Sequence, residues 1–238
     1  MKKTILVMSG KGGVGKTTVA VNLAYALAEK HFQVGLLDID IHGPNVPKML
    51  NINNTKIQIK DKKIMPVAVK DNLKVMSMAF LLENDYDAVI WRGPAKHGVI
   101  KQFVEEVDWG ELDYLIVDLP PGTGDEALSI VHLINPITGS IIVSTPQEVA
   151  ILDAMKAVTF SQKVNVPVIG VVENMSGGIF GEGGAEKAAK QLNVPYLGKL
   201  TLNQLIVKAG DSGKPFILES GNSDTKSFLE IVSKIIKY

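Results

Sequence analysis

Cysteine is absent from this 238-residue chain. That excludes disulfides, thiolate metal sites, cysteine nucleophiles and dithiol redox motifs. An excess of charge of either sign is also missing: 25 Lys and Arg face 25 Asp and Glu, for a formal net charge of zero. No global basic field recruits nucleic acid, so none is expected as a partner, although a local basic patch is still allowed. No run approaches the ~18 consecutive apolar residues of a membrane span. Met1-Lys2-Lys3 is followed by only a short apolar stretch before Ser9-Gly10, too little for the core of a signal peptide. The expectation is a cytoplasmic protein without a membrane span. Internal repeats, low-complexity tracts and Ser/Gly linkers are lacking too. Aromatics make up only 6% of the residues, yet 46% are hydrophobic. That content and length suit one compact domain spanning 1–238 with a sizeable core.

Short apolar runs alternate with helical patterns. Thr4–Met8, Val34–Leu37, Tyr114–Val117, Ser140–Val143 and Val168–Val172 are apolar nearly throughout, as in strands covered on both faces. Helical patterns occupy Lys16–Lys30 and about Lys96–Val107, Glu126–Leu133, Val149–Lys163, Ala185–Leu192 and Leu202–Ala209. This alternation predicts an α/β fold, a mainly parallel sheet with helices on both faces. Lys56–Val69 is polar and β-leaning, with Asp61-Lys62-Lys63 at a turn, and reads as a surface hairpin. Near the end, Phe228, Ile231, Val232, Ile235 and Ile236 are apolar at helical spacing, with Lys226, Lys234 and Lys237 nearby. A final helix packed on the sheet is the simpler reading; a helix lying on a membrane surface is the other.

Gly10-Lys11-Gly12-Gly13-Val14-Gly15-Lys16-Thr17 fits G-x-x-x-x-G-K-S/T between an apolar strand and a helix. Glycines let backbone N–H groups close on phosphate oxygens, and the helix adds its positive end. Gly12, Gly13, Val14, Gly15, Lys16, Thr17 and Thr18 are therefore the phosphate-binding set. Lys16 neutralises the β and γ phosphates, and the Thr17 hydroxyl ligates Mg²⁺. Asp118 closes an apolar strand and reads as a second Mg²⁺ residue, acting through a water. In Leu119-Pro120-Pro121-Gly122-Thr123-Gly124-Asp125, Gly122 can offer a backbone N–H to the γ-phosphate, so hydrolysis could release the loop. Asp125 is expected to cap the following helix. Asp38 and Asp40, two apart in an extended segment, point the same way. One can orient the attacking water while the other lies near Mg²⁺ or supports the loop.

With its early lysine, this loop resembles that of the deviant Walker A ATPases, the MinD/ParA/nitrogenase-iron-protein class. The resemblance implies a homodimer in which Lys11 reaches across to the partner's nucleotide. It makes Asp40 the water-orienting carboxylate, with Asp38 as support. It also implies that Asn174, late in a strand, reads adenine through its amide. Further segments resemble the Mrp/ApbC branch: Asp38–Asn45, Trp91-Arg92-Gly93-Pro94, Asp118–Asp125, Thr145–Ala150, Glu173-Asn174-Met175-Ser176, Ile179–Glu186 and Ala209–Pro215. Members are homodimeric ATPases implicated in carrying or assembling iron–sulfur clusters, which implies ATP, ADP, Mg²⁺ and a metallocluster-assembly protein as ligands and partner.

One departure stands out. The branch places a C-x-x-C between Asn-Met-Ser and Ile-Phe-Gly, where two subunits would supply four thiolates for a shared 4Fe–4S cluster. Here only Gly177 and Gly178 separate Ser176 from Ile179. The cysteine segment is missing as a whole, and 177–184 reads as its remnant. The expectation is an ATPase motor that brings no cluster ligands. The alternative is a MinD/ParA-like positioning ATPase that recruits a partner to membrane or DNA. A reductase of the nitrogenase-iron-protein kind would need those ligands, and a non-catalytic module would not need Lys16, Thr17, Asp40 and Asp118 together. His42 reads as a structural or loop residue. Arg92 could reach phosphate or the dimer partner, or make a structural salt bridge. His31, His97 and His132 are scattered without ligand spacing.

Overall fold

The computed structural model describes residues 1–40, 43–81, 93–134 and 136–238. His42, Trp91 and Arg92 lie outside them. The alternation seen in the sequence becomes β1 (Lys3–Met8), α1 (Lys16–Glu29), β2 (Val34–Asp38), α2 (Val46–Met49), β3 (Gln58–Lys60), β4 (Lys63–Met65), β5 (Val67–Lys70), β6 (Leu73–Ser77), α3 (Gly93–Glu105), β7 (Tyr114–Asp118), α4 (Asp125–Leu133), β8 (Gly139–Ser144), α5 (Glu148–Lys163), β9 (Val168–Ser176), α6 (Gly184–Gln191), β10 (Tyr196–Thr201), α7 (Gln204–Asp211) and α8 (Ser223–Lys237).

Eight strands form one sheet in the order β10-β9-β8-β1-β7-β2-β6-β5. Every neighbouring pair is parallel except β5–β6. Because successive side chains leave a strand on opposite faces, each apolar run feeds two cores. Ile5 and Val7 face one layer with Leu23, Leu27, Phe228 and Ile231, whereas Leu6 and Met8 face the other with Phe103, Ile130 and Val158. This is why the strands read as apolar throughout.

The differences from the sequence reading have local causes. β6 and β10 were not expected: each is interrupted by lysine, Lys74 and Lys199, and β10 sits at the sheet edge. β9 runs on to Ser176, four residues past its apolar run. The Lys56–Val69 excursion is the antiparallel β3–β4 hairpin, turning on Asp61 and Lys62 at positive φ, and then the start of β5. A two-residue turn with both residues left-handed matches the twist of the strands it joins. Asp125 is the first residue of α4 rather than its cap: Gly124 holds the cap position, and Asp125 and Glu126 instead place negative charge in the first turn.

α8 settles the two readings of the terminal stretch. Phe228, Ile231, Val232 and Ile235 are buried, and Phe228 meets Phe216 edge-on at 5.3 Å between ring centroids. Lys234 donates from Nζ to the Leu197 carbonyl of β10. The apolar face is committed to the sheet. No helix among the described residues is long and apolar enough to cross a membrane. Truncating Phe228 to Ala should remove about 3–5 kcal/mol of stability, the usual cost of a large cavity. Urea unfolding measures this, and a loss under about 1 kcal/mol would contradict the packing described.

Candidate functional site

The parallel pairing places the ends of β1, β7 and β2 side by side. Val7 pairs with Asp118, Asp118 with Asp38, and Asp38 with Ser77 of β6. One row thus presents two carboxylates and a hydroxyl along the C-terminal edge, where α/β sheets bind ligands.

β1 leads into Ser9–Gly15 and then α1. A Cβ at Gly10 would stand 2.1 Å from the Asp153 backbone of α5, and one at Gly15 would stand 2.0 Å from Asn174 Nδ2. Gly15 also lies at φ 84°, a left-handed conformation that costs glycine little. No side chain caps the first turn of α1, so its N–H groups face the loop's concavity.

Lys16 is 6% exposed. Its Nζ lies 2.7 Å from Asp118 Oδ1 and 3.7 Å from Asp40 Oδ2. Thr17 Oγ1 donates to Asp118 Oδ2 at 2.7 Å. Asp38 is held from three sides, by the Ser77 hydroxyl at 2.7 Å, the Asp40 N–H at 3.1 Å and the Val46 N–H at 3.4 Å. Asp40 Oδ1 accepts from the Gly43 N–H at 3.3 Å. The Gly122 N–H donates to the Ser9 carbonyl at 2.8 Å, tying the Pro-Gly loop to the start of the phosphate loop. Asn174 donates from Nδ2 to the Val14 carbonyl at 2.9 Å, so its amide braces that loop. Among the described residues nothing pairs with the Lys11 ammonium, while its carbonyl accepts from the Ser9 hydroxyl.

Around these groups opens a cavity of about 610 Å³. Gly12, Gly13, Gly15–Thr18, Asp40 and Pro121 line one part, and Asn174, Met175, Thr201–Asn203, Ile206 and Val207 another. Ser77, as the orienter of Asp38, and the β10–α7 turn were missed from sequence. Neither carries a motif, and both depend on strands not expected. His31 follows α1, His97 lies in α3 and His132 in α4, too scattered to form a ligand set together.

Three carboxylates gather here: Asp40 and Asp118 both lie within 4 Å of the Lys16 ammonium, and Asp38 pairs beside Asp118 in the sheet. Burial, and then the nearby Asp118 charge, pushes the Asp38 carboxyl up to about 8. Burial also raises Asp118, against the pull of Lys16. Buried carboxylate oxygens beside a hydroxyl are the donor chemistry of a hard divalent cation, and Thr17 and Asp118 fit Mg²⁺.

A strand, a glycine loop and a helix bearing Lys16 and Thr17, opposite a carboxylate that ends a parallel strand, define a P-loop nucleotide-binding protein. The ParA family model, described as NUBPL iron-transfer P-loop NTPase, matches residues 1–236, and the chain belongs to that family. It is 48% identical to an iron-sulfur cluster carrier protein of Methanocaldococcus jannaschii, covering 100% of this chain and 85% of that protein. It is also 48% identical to a protein of the same description from Saccharolobus solfataricus, covering 100% and 84%. The first alignment spans 247 positions against 238 residues here, so that relative carries residues this chain lacks. A nucleotide-binding protein from Archaeoglobus fulgidus, solved with ADP, superposes with a TM-score of 0.79 at 35% identity, over 93% of this chain and 89% of that one. The septum site-determining protein MinD of Pyrococcus horikoshii, solved with Mg-ADP, shares the fold, with a TM-score of 0.80 at 22% identity over 100% and 97%.

The raised Asp38 carboxyl has a signed consequence. The folded chain holds a proton that the unfolded chain releases near 3.8. The ligand-free protein therefore loses stability as pH rises from about 4 towards about 8. Asp38→Asn should flatten that decline without abolishing it, because Asp118 is shifted the same way. Urea unfolding across this pH range checks it, and an unchanged slope would contradict the assignment.

Proposed function

We propose that the chain binds ATP with Mg²⁺, hydrolyses it slowly as a dimeric switch, and serves the assembly or delivery of a metallocluster whose ligands another protein supplies. The observation that carries the ATPase reading is the buried contact of Lys16 and Thr17 with Asp118, with Asp40 3.7 Å from the same ammonium, on the edge of the phosphate-loop cavity.

In this reading the loop N–H groups and Lys16 take the β and γ phosphates, Lys16 turning from Asp118 towards the substrate's charge. Thr17 and Asp118 would hold Mg²⁺, which when bound neutralises charge on the phosphate oxygens. Asp40 orients water for in-line attack. Asp38, bonded by Ser77 and the Asp40 N–H, fixes the segment that aims it. Gly122 serves the γ-phosphate only by exchanging its bond to the Ser9 carbonyl, so the Pro-Gly loop responds to the nucleotide's state. Lys11, without a partner among the described residues, crosses to a second subunit's nucleotide. Asn174 both braces the loop and faces the nucleotide cavity, where its amide reads the base.

The cargo half rests on the carrier relatives, and the chain's own chemistry limits it. Clusters are held by thiolates with occasional histidine, and there is no cysteine to supply them. Instead, the buried Glu173 carboxylate accepts from the Ser176 hydroxyl and from the Gly183 and Ala185 N–H groups. The Gly-rich remnant is thereby closed on itself, with Gly177 N–H bonded to the Gly181 carbonyl. Against the membrane form of the positioning alternative, α8 has its apolar face in the core.

Lys16→Ala should abolish hydrolysis, by at least about a hundredfold, since it removes the charge on the transferred phosphate. Asp40→Ala should keep ATP binding and stop turnover. Phosphate release and calorimetric titration check both. Wild-type turnover in the first variant, or loss of ATP binding in the second, would overturn the respective role.

A further inference from the structure

The phosphate loop occupies one part of the cavity and leaves a second wall unexplained. That wall is the β10–α7 turn, Thr201 to Asn203, with Ile206 and Val207 of α7 behind it. Leu202 is 46% exposed towards open space, so this wall is not held by burial of its own apolar group. The turn is anchored by one carboxylate from another element. Asp224, in the first turn of α8 and 2% exposed, accepts from the Thr201 N–H at 2.7 Å and the Thr201 hydroxyl at 2.7 Å. It also accepts from Asn203 Nδ2 at 2.8 Å. Asn203 in turn caps α7 by accepting from the Leu205 N–H. Asn222 orients Asp224 by accepting from its N–H at 3.0 Å.

Three short bonds to one buried carboxylate make a rigid joint. They fix a segment that would otherwise be a free turn at the sheet edge, and Leu202 N–H adds a bond to the Ser176 carbonyl at the end of β9. β9 is also the strand whose Asn174 braces the phosphate loop. The two parts of the cavity are thus held in register through one strand and one carboxylate. We propose that Asp224 is a positioning residue for the nucleoside end of the substrate: it holds Thr201–Asn203 as the wall against which the base and ribose pack. The inference rests on the nucleotide reading above and adds the residue that sets the far end of the site. Asp224 acts through the turn; its carboxylate oxygens are taken by Thr201 and Asn203.

The test compares two probes. ATP engages both parts of the cavity, whereas inorganic tripolyphosphate engages only the phosphate loop. Affinities are measured by calorimetry with Mg²⁺ for wild type, Asp224→Asn and Thr201→Val. Asp224→Asn keeps the volume but turns one accepting oxygen into a donating NH₂ and removes the charge, so at least one of the three bonds is lost; Thr201→Val removes one hydroxyl donor and keeps the shape. The expected result is ATP binding weaker by about tenfold in Asp224→Asn and about threefold in Thr201→Val, with tripolyphosphate within about twofold of wild type. The effect should fall on the KM for ATP with kcat little changed. Equal weakening of both probes would make Asp224 a general stability residue and overturn the proposal, as would unchanged ATP affinity. Should Asp224→Asn fail to fold, Thr201→Val alone decides by the same comparison. A wild type that binds neither probe would instead overturn the nucleotide reading itself.

Discussion

A lysine ammonium buried to 6% exposure needs a partner, and everything at this sheet edge is arranged around that need. Lys16 finds Asp118 at 2.7 Å, and Asp118 finds the Thr17 hydroxyl with its other oxygen. The contact can form only if β1 and β7 pair in register and α1 starts immediately after the glycine loop. A one-residue slip of β7 would turn Asp118 into the opposite layer and place Val117 beneath the lysine. The close fits of Gly10 on α5 and Gly15 on Asn174 then hold the loop to that geometry. Taking two charges out of water is expensive, and a buried pair is weak evidence for stability.

The neighbouring carboxylates extend the same logic: burial, and then the Asp118 charge, drives Asp38 towards its protonated form. Asp38 is also the most firmly held, by Ser77 and two backbone N–H groups, and the Asp40 segment hangs from it. A rigid inner acid and an outer one that faces the cavity divide support from chemistry. Gly122 N–H on the Ser9 carbonyl ties the Pro-Gly loop to the phosphate loop, and Asp224 ties the Thr201–Asn203 turn to α8.

Much of this was legible in the sequence because the relevant signals are local. The glycine loop, the strand-ending Asp118 and the Asp38–Asp40 spacing each need only a few consecutive residues. The doubly covered strands announced the parallel sheet. What escaped notice depends on distant pairing. β6 and β10 carry lysines and gain their strand identity from neighbours, so Ser77 and the Thr201–Asn203 wall could not be assigned. Asp224 has no motif at all; its role appears only when α8 is laid across β10. Asp125 was misplaced by one position because Gly124 served as the cap. The amphipathic end of the chain was ambiguous by pattern, and packing on Phe216 and β10 resolved it.

The chain thus joins a nucleotide site of its family to a surface loop that Glu173 has closed without cysteine. Its relatives are described as iron-sulfur cluster carriers, and this chain has no cysteine. Anaerobic incubation of the purified protein with iron and sulfide, followed by desalting and measurement of bound iron, visible absorbance and ATP hydrolysis on the same sample, tests the proposed separation of ATPase from cluster ligands most directly. The account predicts intact hydrolysis with no stoichiometric cluster. A stoichiometric cluster would contradict it and require ligands other than thiolate.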